Sequence, residues 1–376
     1  MREGHAISLP KVNRPVAMVR PHTDKVHRVG SAHTRGPLAR RIVTPLFSLL
    51  AGALALSACG GVSGTTITLY NGQHVETTDA LVAAFEKSHP GIHVLVRSDS
   101  ENTLDAQIVE EGPRSPADVF FAENSPALEY LQDRGLLAPL PRDVLAATPS
   151  RFNSPTGRWV GVTARVSVMV YDPATIPRTK LPTSILALAE SRYRGLLGLA
   201  PSETDFQPIV TAVVRAVGRA RALAWLEGLK RNAAGHLYAS NEALTLAVNR
   251  GAVGLAVIDQ YYWYRLRATL GTGAMHSALA PFAPRDPGYV VDVSGAGVLA
   301  SSHHRSAAGA LVRFLVSRAG QEIIARSDSF EYPIASGVVT AQPETPFAAL
   351  QPNPITIAQL GTGSTAVALL REAQLL

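Results

Sequence analysis

The chain is 376 residues long, enough for two domains rather than one small core. Hydrophobic residues make up 46% and charged residues 17%, a globular composition that excludes bulk disorder. The net charge of +6 is not a basic binding face: residues 1–58 hold nine of the 35 Lys and Arg but two of the 29 acids, leaving a net of −1 for residues 59–376, and no nucleic-acid partner is expected.

Residues 1–58 read as a signal peptide. Arg40 and Arg41 form its positive region, and Ile42 to Leu56 is an apolar run too short to span a bilayer comfortably. A start at Met18 is the alternative to Met1, and general secretion is favoured over twin-arginine export. Leu56-Ser57-Ala58-Cys59 resembles a bacterial lipobox, which makes Cys59, the single cysteine, the expected lipidation site. Residues 59–65 are then a lipidated tether. The protein is expected on the outer-facing side of the cell membrane, and thiolate metal chemistry is excluded.

Beyond the tether, Ile67–Tyr70 reads as a strand, and Thr78 as the N-cap of a helix over Asp79–Lys87. Ile92–Val96 is a strand, Thr103–Glu111 a helix and Val119–Phe121 a strand. This β-α-β-α-β order predicts an α/β domain with a largely parallel sheet. Trp159–Tyr171 is a long extended run. Ser202 is read as capping a helix over Glu203–Val217, followed by helices at Ala220–Lys230 and Asn241–Asn249. Val253–Ile258 is a buried strand leading into a helix from about Tyr261. Tyr289–Leu299 is a second extended run, and helices follow at Ser306–Arg318, Gly320–Ser327 and Thr365–Ala373. Two long extended segments bracketing about 120 residues predict two domains joined by crossover strands: 66–164 with 289–342, then 165–288, with 343–376 as a C-terminal helical segment.

In open α/β sheets ligands collect beyond the carboxyl ends of strands. His74, Glu123 and the pair Tyr261-Tyr262 stand at three such ends. One imidazole, one carboxylate and two phenols suit a hard trivalent cation, because a phenol of pKa about 10 ionises at neutral pH only beside a highly charged metal. At a strand-to-helix turn two adjacent tyrosines can converge, and the helix N-terminus favours phenolate charge. Asp259 is available there as a cap.

The segment Val257-Ile258-Asp259-Gln260-Tyr261-Tyr262-Trp263-Tyr264-Arg265-Leu266 resembles the tyrosine pair of the bacterial periplasmic ferric-ion-binding proteins. Tyr70-Asn71-Gly72-Gln73-His74 resembles their histidine segment, and Ser115 to Glu123 their glutamate segment. The resemblance runs from about Ile67 to the C-terminus. It implies a two-domain type II periplasmic-binding-protein fold with hinge strands and an interdomain cleft. It further implies Fe(III) as transported ligand, with His74, Glu123, Tyr261 and Tyr262 as metal ligands. The implied partners are an ABC permease and its ATPase, with the receptor a monomer. The family's bound anion contacts a small turn and two asparagines. Asn241 matches one asparagine, but Glu203-Thr204-Asp205 replaces the turn and Asp259 the second asparagine. Three carboxylates there would repel phosphate, so water, Glu203 or Asp205 is expected to fill the remaining coordination.

Weighed singly, these residues have simpler roles. Ser202 to Asp205 resembles a capping box, Tyr264 is expected to pack, His303-His304 is a solvated loop pair, and Arg165 fits either a domain-bridging salt link or a ligand contact. The alternative function is a receptor for a polyamine, phosphonate or other small organic ion. No H-E-x-x-H, G-x-S-x-G or dinucleotide-binding glycine pattern supports an enzyme.

Overall fold

The computed structural model describes residues 64–340 and 345–376. The segments read above as signal peptide and lipobox, with Cys59, lie outside the described residues. The first lobe opens with β1 (Thr65–Asn71), α1 (Val75–Ser88), β2 (Ile92–Ser98), α2 (Glu101–Glu111), β3 (Val119–Ala122), α3 (Ser125–Asp133) and α4 (Arg142–Leu145). β4 (Val160–Tyr171) leads to the second lobe, which holds α5 (Phe206–Val217), α6 (Arg219–Ala233), α7 (Asn241–Asn249), β5 (Leu255–Asp259), α8 (Gln260–Leu270) and β6 (Ala278–Ala280). β7 (Val291–Val298) returns to the first lobe, followed by α9 (Arg305–Leu315), α10 (Arg318–Arg326) and β8 (Tyr332–Pro333). The chain closes with α11 (Ile357–Leu360) and α12 (Ser364–Glu372).

The strand order is β2-β1-β3-β7-β4-β5, with β6 and β8 also paired to β4. β1 is parallel to β2 and β3, as expected, but every pairing of β7 and β4 is antiparallel, so the sheet is mixed rather than largely parallel. The cause is connectivity. β7 enters from the second lobe, against the direction of the strands that begin in the first. β4 is buried along all twelve residues, and a strand covered on both faces carries a near-continuous apolar run. It pairs with β7 from Val160 to Val166, then with β5 from Ser167 to Tyr171. One strand therefore belongs to both lobes, and this handover is the hinge.

One apolar cluster is confined to the first lobe, and a larger one runs from the first lobe into the second. Leu81 and Phe85 of α1 pack with Ile67, Leu69, Val119 and Phe121 beneath Leu311 and Val312 of α9. Ile209 and Val213 of α5 pack with Leu226, Leu197 and Leu255 in the second lobe.

Two helix starts differ from expectation. α1 begins at Val75 with His74 as N-cap, not at Asp79; Thr78 lies inside the helix and its hydroxyl donates to Asn71 Oδ1 at 3.0 Å. α5 begins at Phe206, so Ser202 caps nothing, and Asp205 at the N-cap makes no side-chain cap bond. Thr78 and Asp205 bond to other side chains rather than to their own backbone, a competition that local sequence does not resolve.

Candidate metal centre between the lobes

The cleft is formed where the ends of β1, β3 and β5 face one another. His74 follows the Asn71-Gly72-Gln73 turn after β1, and Glu123 lies directly after β3. Tyr261 and Tyr262 occupy the first turn of α8, immediately beyond β5. Their rings lie 4.0 Å apart between centroids, tilted by 31°. The Tyr261 hydroxyl donates to Glu123 Oε1 at 2.8 Å, and the Tyr262 hydroxyl to Asp205 Oδ2 at 2.8 Å. The His74 ring meets the Tyr261 ring edge-on at 5.0 Å. His74 Nε2 stands 3.9 Å from Glu123 Oε1, too far for a hydrogen bond, and is buried without a partner. All four predicted ligand residues are brought together.

The other predicted residues divide. Asp205 reaches into the cleft, taking Tyr262 and the Asn241 amide, the latter at 3.3 Å. Glu203 instead accepts the backbone N–H of Asn241 at 3.1 Å. Thr204 Oγ1 accepts from Asn124 Nδ2 at 3.0 Å. Asp259 is the N-cap of α8 but does not cap it; its Oδ2 takes Arg165 Nε at 3.0 Å, while Oδ1 is buried and unpartnered. Tyr264 packs against Phe330 and Trp263.

Glu331 was not anticipated. Among the described residues, ligand atoms of His74, Glu123 and Glu331 lie within 4.8 Å of one another. The only hint in the chain is an acid between Phe330 and Tyr332, and nothing local ties it to His74.

The sequence profile of the bacterial extracellular solute-binding proteins matches residues 69–327, a span that includes all four converging side chains. The chain belongs to this family. This solute-binding protein is 37% identical to the Fe(3+)-binding periplasmic protein of Serratia marcescens, covering 91% of the chain and 98% of that relative. It is 36% identical to the major ferric iron-binding protein of Neisseria meningitidis serogroup B, covering 87% and 97%. Its fold matches iron-bound HitA from Pseudomonas aeruginosa with a TM-score of 0.78 at 40% identity, over 82% of this chain and 99% of that one. The two-domain type II fold, hinge strands and cleft included, is that of the solved ferric-binding structures.

The electrostatics of this solute-binding protein centre on Arg165, which is fully buried on β4. It pairs with Asp205 at 3.2 Å, Asp259 at 3.0 Å and Glu331 at 3.2 Å, and also donates to Asn124 Oδ1. Of the two roles open for it, the salt link that bridges the lobes is the one adopted. Burial opposes its charge, yet Asp205, Glu123, Glu331 and Asp259 around it hold its pKa above the ordinary guanidinium value. One cation does not balance so many acids. Burial, reinforced by Asp205, Glu331 and Glu101 against Arg165, raises Glu123. Burial, with Asp205 and Asp292, raises Asp259. Burial lifts Asp292 to about 8, and burial with Asp205 lifts Glu203 to about 7. Burial, then Glu123 for Tyr261 and Asp205 for Tyr262, pushes both phenols well above 10. Burial lowers His74, so its imidazole is neutral at pH 7 and has a lone pair to give.

These shifts set a pH dependence for the metal-free protein. A carboxyl whose folded pKa is raised stabilises the fold below its unfolded pKa, 4.5 for Glu203 and 3.8 for Asp292, and that contribution is lost as pH rises through the folded value. With Glu203 near 7 and Asp292 near 8, metal-free protein held in chelator is expected to melt at lower temperature at pH 8 than at pH 5. Melting curves across that range, with a constant or rising midpoint as the contrary result, check this.

Proposed function

We propose that this chain is the extracytoplasmic receptor of an ABC importer and that its cargo is Fe(III), held by His74, Glu123, Tyr261 and Tyr262. The observation that carries this is the neutral, buried and unpartnered Nε2 of His74, which lies near the Glu123 carboxylate of its own lobe, with the His74 ring against the Tyr261 ring of the opposite one. Burying a polar nitrogen without a partner is costly, and a cation between these groups removes the cost. The donor set selects a hard, highly charged ion. The two phenols keep their protons and lend them to Glu123 and Asp205, and only a strongly charged cation displaces them. Loading then exchanges phenolic protons for metal and offsets the excess of carboxylates over Arg165. Relatives named as ferric iron-binding over nearly their whole length support the same cargo.

Asp205 is proposed to complete the coordination in place of an external anion, since its carboxylate already meets Tyr262. Glu203 and Asp259 are committed to Asn241 and Arg165. His74 Nδ1 lies 3.4 Å from Arg265 Nη1, and a guanidinium only donates. Metal at Nε2 places the ring proton on Nδ1, so loading separates His74 from Arg265.

His74 and Glu123 belong to one lobe and the tyrosines to the other, so a single ion latches both across the hinge. The proposed domains are 66–164 with 289–342, and 165–288. The closed form is presented to the permease and its ATPase, with the monomeric receptor anchored through lipid on Cys59. The residues of the cleft hold an ion and have no catalytic task. An organic solute in the same cleft would leave His74 Nε2 without a role.

Ferric citrate added to the purified chain is expected to give one bound iron per chain and a reddish tyrosinate-to-iron charge-transfer band. Affinity is expected to rise with pH, because protons leave the phenols on binding. A colourless protein that retains no iron overturns the proposal.

A further inference from the structure

We propose that Glu331 is a positioning residue for the cargo ion, fixing His74 through the side-chain amide of Gln73. This deepens the proposed function and rests on it. Glu331 immediately precedes β8, which pairs with β4 beside Arg165. It is 1% exposed, and three donors occupy its carboxylate. Oε1 accepts from Arg165 Nη1 at 3.2 Å. Oε2 accepts from Gln73 Nε2 at 3.0 Å and from the Thr163 hydroxyl at 3.1 Å. Its closeness to His74 and Glu123 suggests a ligand, but none of its three donors loses a proton on loading, whereas Asp205 Oδ2 regains a lone pair when the Tyr262 proton leaves. The geometry assigns it to holding rather than to ligating.

What it holds is the residue before His74. An ionised carboxylate only accepts, so Gln73 must turn its NH₂ end toward Glu331. The carbonyl end is thereby directed to the His74 backbone N–H, at 2.7 Å. Asn71 grips the same residue twice, accepting the Gln73 N–H at 3.1 Å and donating to its carbonyl at 2.9 Å. His74 itself has little else to fix it. Its side chain makes no cap bond to α1, Nε2 has no hydrogen-bond partner, Nδ1 has only the long Arg265 contact, and the ring otherwise meets only the edge-on Tyr261 ring. The imidazole is therefore aimed by its backbone, and that backbone is aimed by Gln73 and Glu331. Glu331 also bonds Arg165 on the hinge strand β4, so the aim of His74 is tied to the hinge through a contact spanning 258 residues of sequence.

A double-mutant cycle tests this. Gln73→Leu removes only the relay and leaves Arg165 with its counter-ion, so it stands even if Glu331→Gln fails to fold. Iron affinity is read by competition with citrate in wild type, Gln73→Leu, His74→Ala, the double variant and Glu331→Gln. Gln73→Leu is expected to weaken binding about 10–100-fold, the range of residues that orient a metal ligand. Added to His74→Ala, it is expected to cost less than about threefold more, because the ligand it positions is gone. The tyrosinate band persists in all variants. Unchanged affinity in Gln73→Leu, or losses that multiply independently in the double variant, overturns the assignment of Glu331. A wild-type protein without the band fails the functional proposal instead, so the two failures are distinguishable.

Discussion

Replacing both Tyr261 and Tyr262 by Phe is expected to abolish the charge-transfer band and to remove measurable Fe(III) binding, the largest functional effect of any substitution in the molecule. Each single change should weaken binding by more than about 100-fold, since residues that merely support a ligand already contribute about 10–100-fold. The fold should survive. Both rings are buried and Phe keeps their volume, so the core of α8 is not opened. What is lost in the metal-free protein is one hydrogen bond into Glu123 and one into Asp205. Each leaves a carboxylate oxygen less satisfied, at about 1–3 kcal/mol. Equilibrium dialysis against ferric citrate, run beside urea denaturation of the same variants, separates the two effects. Retained iron at wild-type affinity would remove the tyrosines from the site.

Arg165→Met is expected to have the largest effect on stability. The guanidinium is fully buried and pairs with Asp205, Asp259 and Glu331 together. Removing one partner of a buried ion pair costs about 3–5 kcal/mol because an uncompensated charge remains. Here three carboxylates lose their cation, while Met restores most of the apolar stem. The penalty has a pH sign. Asp259, whose carboxyl burial already raises, takes up a proton more readily at pH 5 than at pH 8 once its cation is gone, so the variant should fall further below wild type as pH rises. Urea unfolding at both pH values checks this. A variant as stable as wild type at pH 8 would mean that the network contributes no net stability. Arg165→Lys keeps the charge but cannot reach three carboxylates and Asn124 at once, and is expected to lie between the two.

Much of this protein is legible along the chain. The strands and helices of the first lobe announce themselves through alternation and 3.6-residue periodicity. The two long extended runs mark the strands shared between lobes. The tyrosine pair declares itself by standing where a buried strand meets a helix, the place where adjacent side chains converge. Thr78 and Ser202 are good caps by composition, but the helices begin elsewhere: the Thr78 hydroxyl is bonded to Asn71 within its own lobe, and Thr204 beside Ser202 is bonded to Asn124 across the cleft.

The sequence by itself determined which donors stand at strand ends: His74, Glu123 and the tyrosine pair. Such positions follow from periodicity and turn chemistry, which act between near neighbours. Only the tertiary structure decided that Asp205 faces Tyr262 while Asp259 and Glu331 converge on Arg165, and that Gln73 is gripped by the distant Glu331. Those partnerships join residues 57 to 258 positions apart. They are set by distance in a buried, low-dielectric space, where a few ångströms decide which carboxylate is paired, which holds a proton and which is left for the ion.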